Sequence, residues 1–184
     1  MSRHFDDAEG LVDERDPATE GFAFNHTMLR IKSPKRSLEF YTGLLGMTLV
    51  KRLDFPDMEF SLYFLATVDD ANLDSWPEDD DRRLVETFRR AGMLELTHNW
   101  GDEDDDSVEF HSGNDEPKGF GHIGIQVPDL DAACERLDDA GVNFVKRPDE
   151  GNMRDIAFIT DPDGYWIELF TAGRLPDSLD EHLS

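Results

Sequence analysis

The sequence predicts an α+β fold built from two copies of one unit, in which a strand is followed by a helix and then by several strands. The string Gly-x-x-x-Val-Lys-Arg occurs twice, at Gly46 and at Gly141. A histidine lies 20 residues before the first of these glycines and 19 before the second, and each copy ends on a strand-like run with one glutamate. The recurring residues are His26, Glu95, His122 and Glu168. A repeat of this kind organises the whole chain.

The first strand of each copy leads into a helix with clear start and stop signals. In the first copy Ser33 is the predicted cap, Pro34 takes the first helical position and Gly46 ends the helix. In the second copy Asp129 is the cap and Gly141 ends the helix. An apolar stripe is formed by Leu38, Tyr41, Leu44 and Leu45 in the first helix and by Leu130, Ala133, Cys134 and Leu137 in the second. Their helical spacing predicts that both helices pack on the core.

The remaining segments divide the chain into modules, an insertion and acidic connections. The predicted boundaries are an acidic arm over 1–20, a first module over 21–100, an acidic linker over 101–118, a second module over 119–173 and a tail over 174–184. The arm is expected to be disordered, because it is acidic, has few apolar residues and shows no period. An insertion at about 69–90 has no counterpart in the second copy. It is predicted to hold an acidic loop and a short helix with Leu84, Val85 and Phe88 facing inward.

The chain is strongly acidic. It has 42 Asp and Glu against 18 Lys and Arg, a net charge of -24, and only five Lys. A charge of this sign repels phosphate, so nucleic acid is excluded as a partner. An Asp-rich, Lys-poor surface repels itself unless salt screens it, which predicts a salt-rich cytosol, as in a halophile. The acidic runs lack the spaced acids and the glycine of a calcium loop.

The compartment is predicted from hydropathy and cysteine content. No apolar run approaches the roughly 20 residues that span a bilayer, and the first residues lack the basic-then-apolar order of a signal peptide. Cys134 is the single cysteine in the sequence, so no internal disulfide can form. These features predict a cytoplasmic protein with no membrane partner.

Alternation of side chains along the strands collects polar residues on one face of each copy. With a period of two, His26 and Arg30 share a face opposite the apolar residues, and Glu95 is likewise opposite its apolar neighbours. The second copy repeats this pattern around His122 and Glu168. A glutamate inside an apolar strand is costly to bury as an unpaired ion, and a metal ion removes that cost.

The four recurring residues make a chemically complete ligand set for one divalent metal. Any one of them alone is better explained as a hydrogen-bonded strand residue, whereas four at matching points of a repeat favour a metal. Two imidazoles and two carboxylates suit zinc, nickel, cobalt or manganese, and they leave open positions on a six-coordinate ion. Two other histidines are excluded, because His98 points away from Glu95 by alternation and His111 follows an acidic loop.

These motifs resemble the glyoxalase I (lactoylglutathione lyase) family of the vicinal oxygen chelate superfamily, in its longer, eukaryotic-like form. The resemblance runs from about Phe22 to Ala172. Its specific strings include Leu94-Glu-Leu-Thr-His-Asn-Trp-Gly, Gly119-Phe-Gly-His-Ile-Gly-Ile and Asp161-Pro-Asp-Gly-Tyr-Trp-Ile-Glu. It implies two paired βαβββ modules, a homodimer with metal sites between modules, and isomerisation of the glutathione–methylglyoxal hemithioacetal to S-lactoylglutathione.

The same resemblance assigns roles to individual residues. The four recurring residues match the metal ligands of the family, Glu168 also matches its catalytic base, and Glu95 is the candidate for proton transfer on the opposite face. The residues that match substrate-binding positions are Arg30, Asn99, Lys118, Lys146, Gly151, Asn152 and Met153. The residues that match the apolar pocket lining are Leu53, Phe55, Leu62, Phe64, Ile156 and Phe158.

Two departures from the family pattern leave choices open. His26 stands where long-form relatives often carry Gln, while a His is common in microbial enzymes, so the choice between zinc and nickel is open. Zn²⁺ is the expected metal and Ni²⁺ the alternative. Lys118 stands where an Arg often lies, which replaces a bidentate fork by a point charge. The thiol cosubstrate is glutathione or another small thiol.

Other functions remain as alternatives. One is another metal-dependent enzyme of the superfamily, an epimerase or an extradiol dioxygenase, and the other is a non-catalytic ligand-binding module. A dioxygenase is expected to use two His and one carboxylate, and a binding module needs no metal carboxylates in both halves. The four candidate ligands therefore favour the lyase.

Overall fold

The computed structural model describes residues 4–151 and 153–176 and contains two four-stranded sheets of the same topology. The strands of the first sheet are β1 (His26–Arg30), β2 (Thr48–Phe55), β3 (Phe60–Ala66) and β4 (Met93–Asn99), in the order β1-β4-β3-β2. Those of the second sheet are β5 (His122–Gln126), β6 (Phe144–Lys146), β7 (Ile156–Thr160) and β8 (Trp166–Phe170), in the order β5-β8-β7-β6. Strand β1 pairs with β4 in parallel, and β5 pairs with β8 in parallel. All other neighbouring strands in the two sheets are antiparallel. The predicted α+β fold of two βαβββ modules is confirmed.

Over the described residues, three helices accompany the sheets. They are α1 (Pro34–Leu38), which continues as a π-helical segment over Glu39–Leu44, α2 (Asp80–Arg89) and α3 (Leu130–Asp139). Short 3₁₀ turns lie at Pro17–Thr19, Pro56–Met58, Asp70–Ser75, Asp102–Asp104 and Ala172–Arg174. Over the part of the chain that the structure describes, no helix has the length and apolar character needed to cross a bilayer.

The predicted helix caps are present. The hydroxyl of Ser33 accepts a hydrogen bond from the backbone N–H of Arg36, and the carboxylate of Asp129 accepts one from Ala132. Gly46 and Gly141 have φ of +69° and +76°, in the left-handed region that glycine adopts without strain. These positions fix where each helix begins and where the chain turns into the next strand.

Both modules contribute to one hydrophobic core. Apolar residues of β1, β3 and β4 and of β7 and β8 pack into a single cluster together with residues of α1 and α3. Its fully buried members include Ile31, Tyr41, Leu65, Leu96, Leu130, Ile159, Ile167 and Leu169. Because side chains alternate along a strand, the faces that carry the candidate metal ligands are the opposite, outer faces of the two sheets.

The turn between β7 and β8 joins the two modules through two carboxylates. Tyr41, at the end of the first helix, donates its hydroxyl proton to Asp161 across 2.7 Å. Asp163 accepts hydrogen bonds from the hydroxyl of Ser37 and the backbone N–H of Lys32, both at 3.2 Å. The first helix is therefore held on the second module by polar contacts as well as by the core.

The insertion differs from its predicted packing. Leu84 is half-buried, but Val85 is 46% exposed and Phe88 47% exposed, so the prediction that all three face inward is wrong. The reason is that α2 lies on the outer face of the first sheet and not over the shared core. On that outer face the ring of Phe88 contacts Phe64 at a centroid distance of 5.1 Å. The buried residue of α2 is Thr87.

Candidate metal centre

The first module brings His26 and Glu95 together on neighbouring strands. The parallel pairing of β1 with β4 sets His26 beside Met93, two residues before Glu95. Nε2 of His26 is 3.2 Å from Oε2 of Glu95, and their side chains are 32% and 12% exposed. The other carboxylate oxygen, Oε1, accepts a 3.0 Å hydrogen bond from the hydroxyl of Thr97. We call His26 and Glu95 the module-1 half-site.

The second module brings His122 and Glu168 together in the same way. Nε2 of His122 is 3.5 Å from Oε2 of Glu168, and the side chains are 41% and 21% exposed. Gly124 lies opposite Glu168 in the β5–β8 register, and a Cβ at that position would be 3.5 Å from Oε2 of the carboxylate. The ring of His122 meets Phe158 edge-on, with centroids 5.2 Å apart. We call His122 and Glu168 the module-2 half-site.

Each half-site has the donor chemistry and the spacing that a divalent metal requires. Two atoms that both lie about 2.1 Å from one ion in adjacent positions are about 3.0–3.4 Å apart. The N–O separation of 3.2 Å in the module-1 half-site lies within that range, and the 3.5 Å of the module-2 half-site lies just above it. The residues present therefore fit such an ion, with two ligands available from each half-site.

The four predicted ligands do not form one cluster within a single chain. Among residues 4–151 and 153–176, no group of three or more His, Cys, Asp and Glu side chains is placed to hold one metal ion. The physical reason is that the half-sites lie on the outer faces of two sheets whose inner faces share the core. One chain thus presents two separate pairs of ligands.

Three predicted substrate residues lie at the surface. Arg30 is exposed at the end of β1, on the same face as His26. Asn99 is exposed at the end of β4 and donates a 3.1 Å hydrogen bond to Asp102. Lys118 is exposed in the segment before β5. Their side chains are accessible to an anionic ligand, and their roles stay predictions.

Lys146 makes internal contacts. Its ammonium donates to the carbonyl oxygens of Arg147, Met153 and Ile156, at 3.1, 2.7 and 2.6 Å. These bonds use all three N–H groups, and burial lowers the pKa of Lys146 below its usual value. Met153 is 47% exposed, and Gly151 has φ of +70° with its Cα beside the Lys146 side chain. The predicted residue Asn152 lies outside the described residues.

The predicted apolar lining residues share the faces of the half-sites. Phe64 is opposite Glu95 in the β3–β4 register, and Phe158 is opposite Glu168 in the β7–β8 register, so the two phenylalanines are equivalent. Phe64 is fully buried, and its ring meets His26 edge-on at 5.7 Å. The other four are Leu53, Phe55 and Leu62, which are half-buried, and Ile156, which is buried. They place apolar surface next to both ligand pairs.

Sequence reasoning missed Asn25. Its Oδ1 lies 2.7 Å from Nδ1 of His26, and its Nδ2 contacts carbonyl oxygens at the end of α2. Alternation places Asn25 on the face opposite His26, and the contact depends on where the insertion packs. The sequence therefore carries no local signal for this role.

Comparison with known proteins agrees with this geometry. Residues 23–169 match the family model described as the Glyoxalase/Bleomycin resistance protein/Dioxygenase superfamily. The chain is 54% identical over 172 residues to the lactoylglutathione lyase of Pseudomonas aeruginosa, with 94% of this chain and 95% of that protein covered. It is 47% identical over 155 residues to the glyoxalase I of Saccharomyces cerevisiae, with 82% and 45% covered.

Solved structures give the same result. The trypanothione-dependent glyoxalase I of Leishmania major has a TM-score of 0.61 at 27% identity, with 88% of this chain and 94% of that chain covered. The glyoxalase I of Zea mays has a TM-score of 0.57 at 26% identity, with 79% and 43% covered. The chain therefore belongs to the Glyoxalase/Bleomycin resistance protein/Dioxygenase superfamily, and within it to the lactoylglutathione lyases.

Proposed function

We propose that this chain is a glyoxalase I that converts the hemithioacetal of methylglyoxal and glutathione to S-lactoylglutathione, and so removes methylglyoxal. The observation that carries the proposal is the occurrence of a His–Glu pair at matching positions of both modules. High identity to a lactoylglutathione lyase over nearly the whole chain supports the same activity. In this reading the enzyme is a carbon–sulfur lyase.

We propose a homodimer in which the module-1 half-site of one chain meets the module-2 half-site of its partner. The support is that each chain carries both halves on outer faces, so that a two-fold pairing completes two identical sites. Apolar side chains near the module-1 half-site are incompletely covered in the single chain, since Met28 is 41% and Phe88 47% exposed. A partner chain is expected to cover them.

The proposed centre holds one divalent ion per site, Zn²⁺ or alternatively Ni²⁺, between His26 and Glu95 of one chain and His122 and Glu168 of the other. When bound, the ion supplies positive charge that stabilises the negative oxygen formed as the substrate loses a carbon-bound proton. Imidazole and carboxylate donors suit both metals, and no thiolate is in the set.

Glu168 is proposed as the base that takes the proton from C1 of the substrate and returns it to C2. Within the described residues nothing besides His122 makes a polar contact with its carboxylate, and Gly124 leaves space beside it. Glu95 is held by Thr97 and is proposed for proton transfer on the opposite face of the substrate. The less constrained carboxylate is the one suited to moving between two carbon atoms.

Substrate recognition is proposed to use Arg30, Asn99 and Lys118, with apolar contacts from the phenylalanines beside each half-site. In a chain of net charge -24, exposed cations near the site offset the repulsion of an anionic thiol. The remaining proposed contacts are Lys146, Gly151, Asn152 and Met153. Glutathione is the proposed cosubstrate. Another small thiol is the alternative, and the Leishmania major relative is trypanothione-dependent.

We place the enzyme in a salt-rich cytoplasm. The buried Cys134 is compatible with a reducing compartment, and an acidic, Lys-poor composition is suited to high salt. For this reason, activity should be measured at high salt as well as at low salt.

The deciding experiment is thioester formation from methylglyoxal and glutathione by purified protein at low and high salt. The protein is stripped with a chelator and reloaded with Zn²⁺ or Ni²⁺ in parallel. Metal-dependent formation in the reloaded samples and none in the stripped sample is expected. A folded, metal-loaded protein that forms no thioester with glutathione or with any other small thiol tested would exclude the lyase.

A further inference from the structure

Asn25 connects the module-1 half-site to the end of the insertion helix α2. Its Oδ1 is 2.7 Å from Nδ1 of His26. Its Nδ2 contacts the carbonyl oxygen of Thr87 at 3.2 Å and makes a short contact with that of Arg90. A single side chain therefore touches both a proposed metal ligand and the last turn of α2.

The chemistry of these contacts fixes the state of the imidazole. Carbonyl oxygens only accept hydrogen bonds, so the NH₂ group of Asn25 must face Thr87 and Arg90. The amide oxygen then faces His26, and since that oxygen only accepts, Nδ1 of His26 carries the proton. Nε2, the ring nitrogen that lies 3.2 Å from Glu95, is then the one left to bind a metal.

The same contacts of Asn25 also stabilise the end of helix α2. The last carbonyl groups of an α-helix have no partner within the helix, and Asn25 satisfies two of them at the end of α2. Near its start, Asp80 pairs with the buried ammonium of Lys51 at 2.6 Å. Both ends of α2 are thus fixed, and Phe88 is held with its ring 6.3 Å from that of His26.

The second module has no residue equivalent to Asn25. Gly121 precedes His122 and carries no side chain, and the insertion has no counterpart there. Among the residues that the structure describes, His122 contacts Glu168 but has no hydrogen-bond partner for its other ring nitrogen. The insertion therefore distinguishes the two half-sites.

We propose that Asn25 is a positioning residue for metal binding: it fixes His26 as the Nδ1–H tautomer and couples the half-site to the insertion helix. The proposal rests on the proposed metal-dependent function. It gives the insertion a role in preparing the module-1 half-site before a partner chain or a metal arrives. Outer partners of this kind typically contribute about 10–100-fold to metal affinity.

The test uses the full-length protein with Co²⁺ as the probe. Asn25→Leu has a similar size but neither donates nor accepts, whereas Asn25→Asp still accepts from Nδ1–H and cannot donate to the helix carbonyls. Asn143→Leu is the matched control, because the Asn143 amide donates to Thr160 and has no hydrogen bond to any of the four proposed ligands. Affinity is measured by competition with a chromophoric chelator, the visible spectrum of bound Co²⁺ reports its geometry, and circular dichroism reports folding.

Asn25→Leu is expected to lower Co²⁺ affinity by about 10–100-fold and to change the Co²⁺ spectrum. Asn25→Asp is expected to retain the wild-type spectrum and an affinity within a few-fold of wild type, and to melt at a lower temperature. Wild-type affinity in Asn25→Leu, or equal losses in the Leu and Asp variants, would overturn the tautomer-fixing role. A wild-type protein that binds no Co²⁺ would instead overturn the proposed metal-dependent function, and this inference with it.

Discussion

The hydroxyl of Thr97 donates a 3.0 Å hydrogen bond to Glu95 and thereby orients one of the two proposed catalytic carboxylates. The position two residues after Glu168 is Phe170, which has no hydroxyl to offer. Met28 lies opposite Glu95 in the strand register, but Gly124 lies opposite Glu168. The two modules therefore hold matching carboxylates with different freedom.

This difference predicts that turnover depends directly on the Glu168 carboxylate and only weakly on the hydrogen bond that orients Glu95. Glu168→Gln keeps the size of the side chain and removes its basicity, so turnover is expected to fall by about 10²–10⁴-fold while the protein stays folded. Thr97→Val, which removes only the hydrogen bond to Glu95, is expected to lose much less. Initial rates of thioester formation give the comparison, with circular dichroism as the folding control. Turnover retained in Glu168→Gln would remove Glu168 as the base.

The placement of the half-sites on opposite faces predicts that two inactive variants restore activity when mixed. In a heterodimer of Glu95→Gln and Glu168→Gln chains, one site carries both substitutions and the other carries neither. After subunit exchange, activity is expected to reach about a quarter of the wild-type value, because half of the dimers have one intact site of two.

The control for this experiment is the double variant Glu95→Gln/Glu168→Gln. Mixed with wild-type chains it damages both sites of every heterodimer, so activity should fall below that of the wild-type chains alone. If each chain instead built its own complete site, mixing the single variants would give no gain.

The sequence was sufficient to predict which side chains share a face of each strand. Period-two alternation correctly placed His26 with Glu95 and His122 with Glu168, because a strand in a sheet exposes alternate residues to opposite sides. Alternation does not tell which faces of two sheets share a core. The separation of the half-sites therefore appeared only in the structure.

The remaining differences between the predictions from sequence and the structure arise from tertiary contacts. The amphipathic pattern of α2 predicted an apolar face but not what covers it, and Phe88 lies half-exposed beside the module-1 half-site. The cation of Lys146 was visible in the sequence. Of the three carbonyl groups around it, those of Arg147 and Met153 come from a loop whose path the sequence does not specify, and that of Ile156 comes from the first residue of β7. Asn25 depends on the same kind of contact.

The charge of the chain predicts that its stability increases with salt. The Debye length falls from about 10 Å at 0.1 M salt to about 3 Å at 1 M, so repulsion among 42 acidic residues is progressively screened. Scanning calorimetry between 0.1 and 2 M KCl is expected to show Tm rising by about 5–10 °C, the equivalent of about 2–3 kcal/mol. The variant Asp104→Lys/Asp106→Lys changes two exposed positions and should give a shallower slope. A Tm independent of KCl would contradict the prediction.

Asp161 predicts a specific pH dependence of stability. Burial raises the pKa of this carboxyl from 3.8 to about 6, against the opposing effect of hydrogen bonds from Tyr41, Tyr165 and Asp163. Because the folded pKa lies above the unfolded one, folding favours the protonated form. The contribution to stability is complete below pH 4 and is lost as pH rises through about 6. A shift of about two units corresponds to about 3 kcal/mol.

Asp161→Asn removes this titration while keeping a side chain that accepts hydrogen bonds from the backbone. Unfolding free energies from denaturant titrations between pH 4 and 7.5, in 2 M KCl to screen other carboxylates, are expected to fall less steeply in the variant than in the wild type. Asp139→Asn, at an exposed position on α3, should follow the wild-type curve. Parallel curves for wild type and Asp161→Asn would show that the Tyr41–Asp161 contact between the modules is insensitive to the charge of the carboxyl.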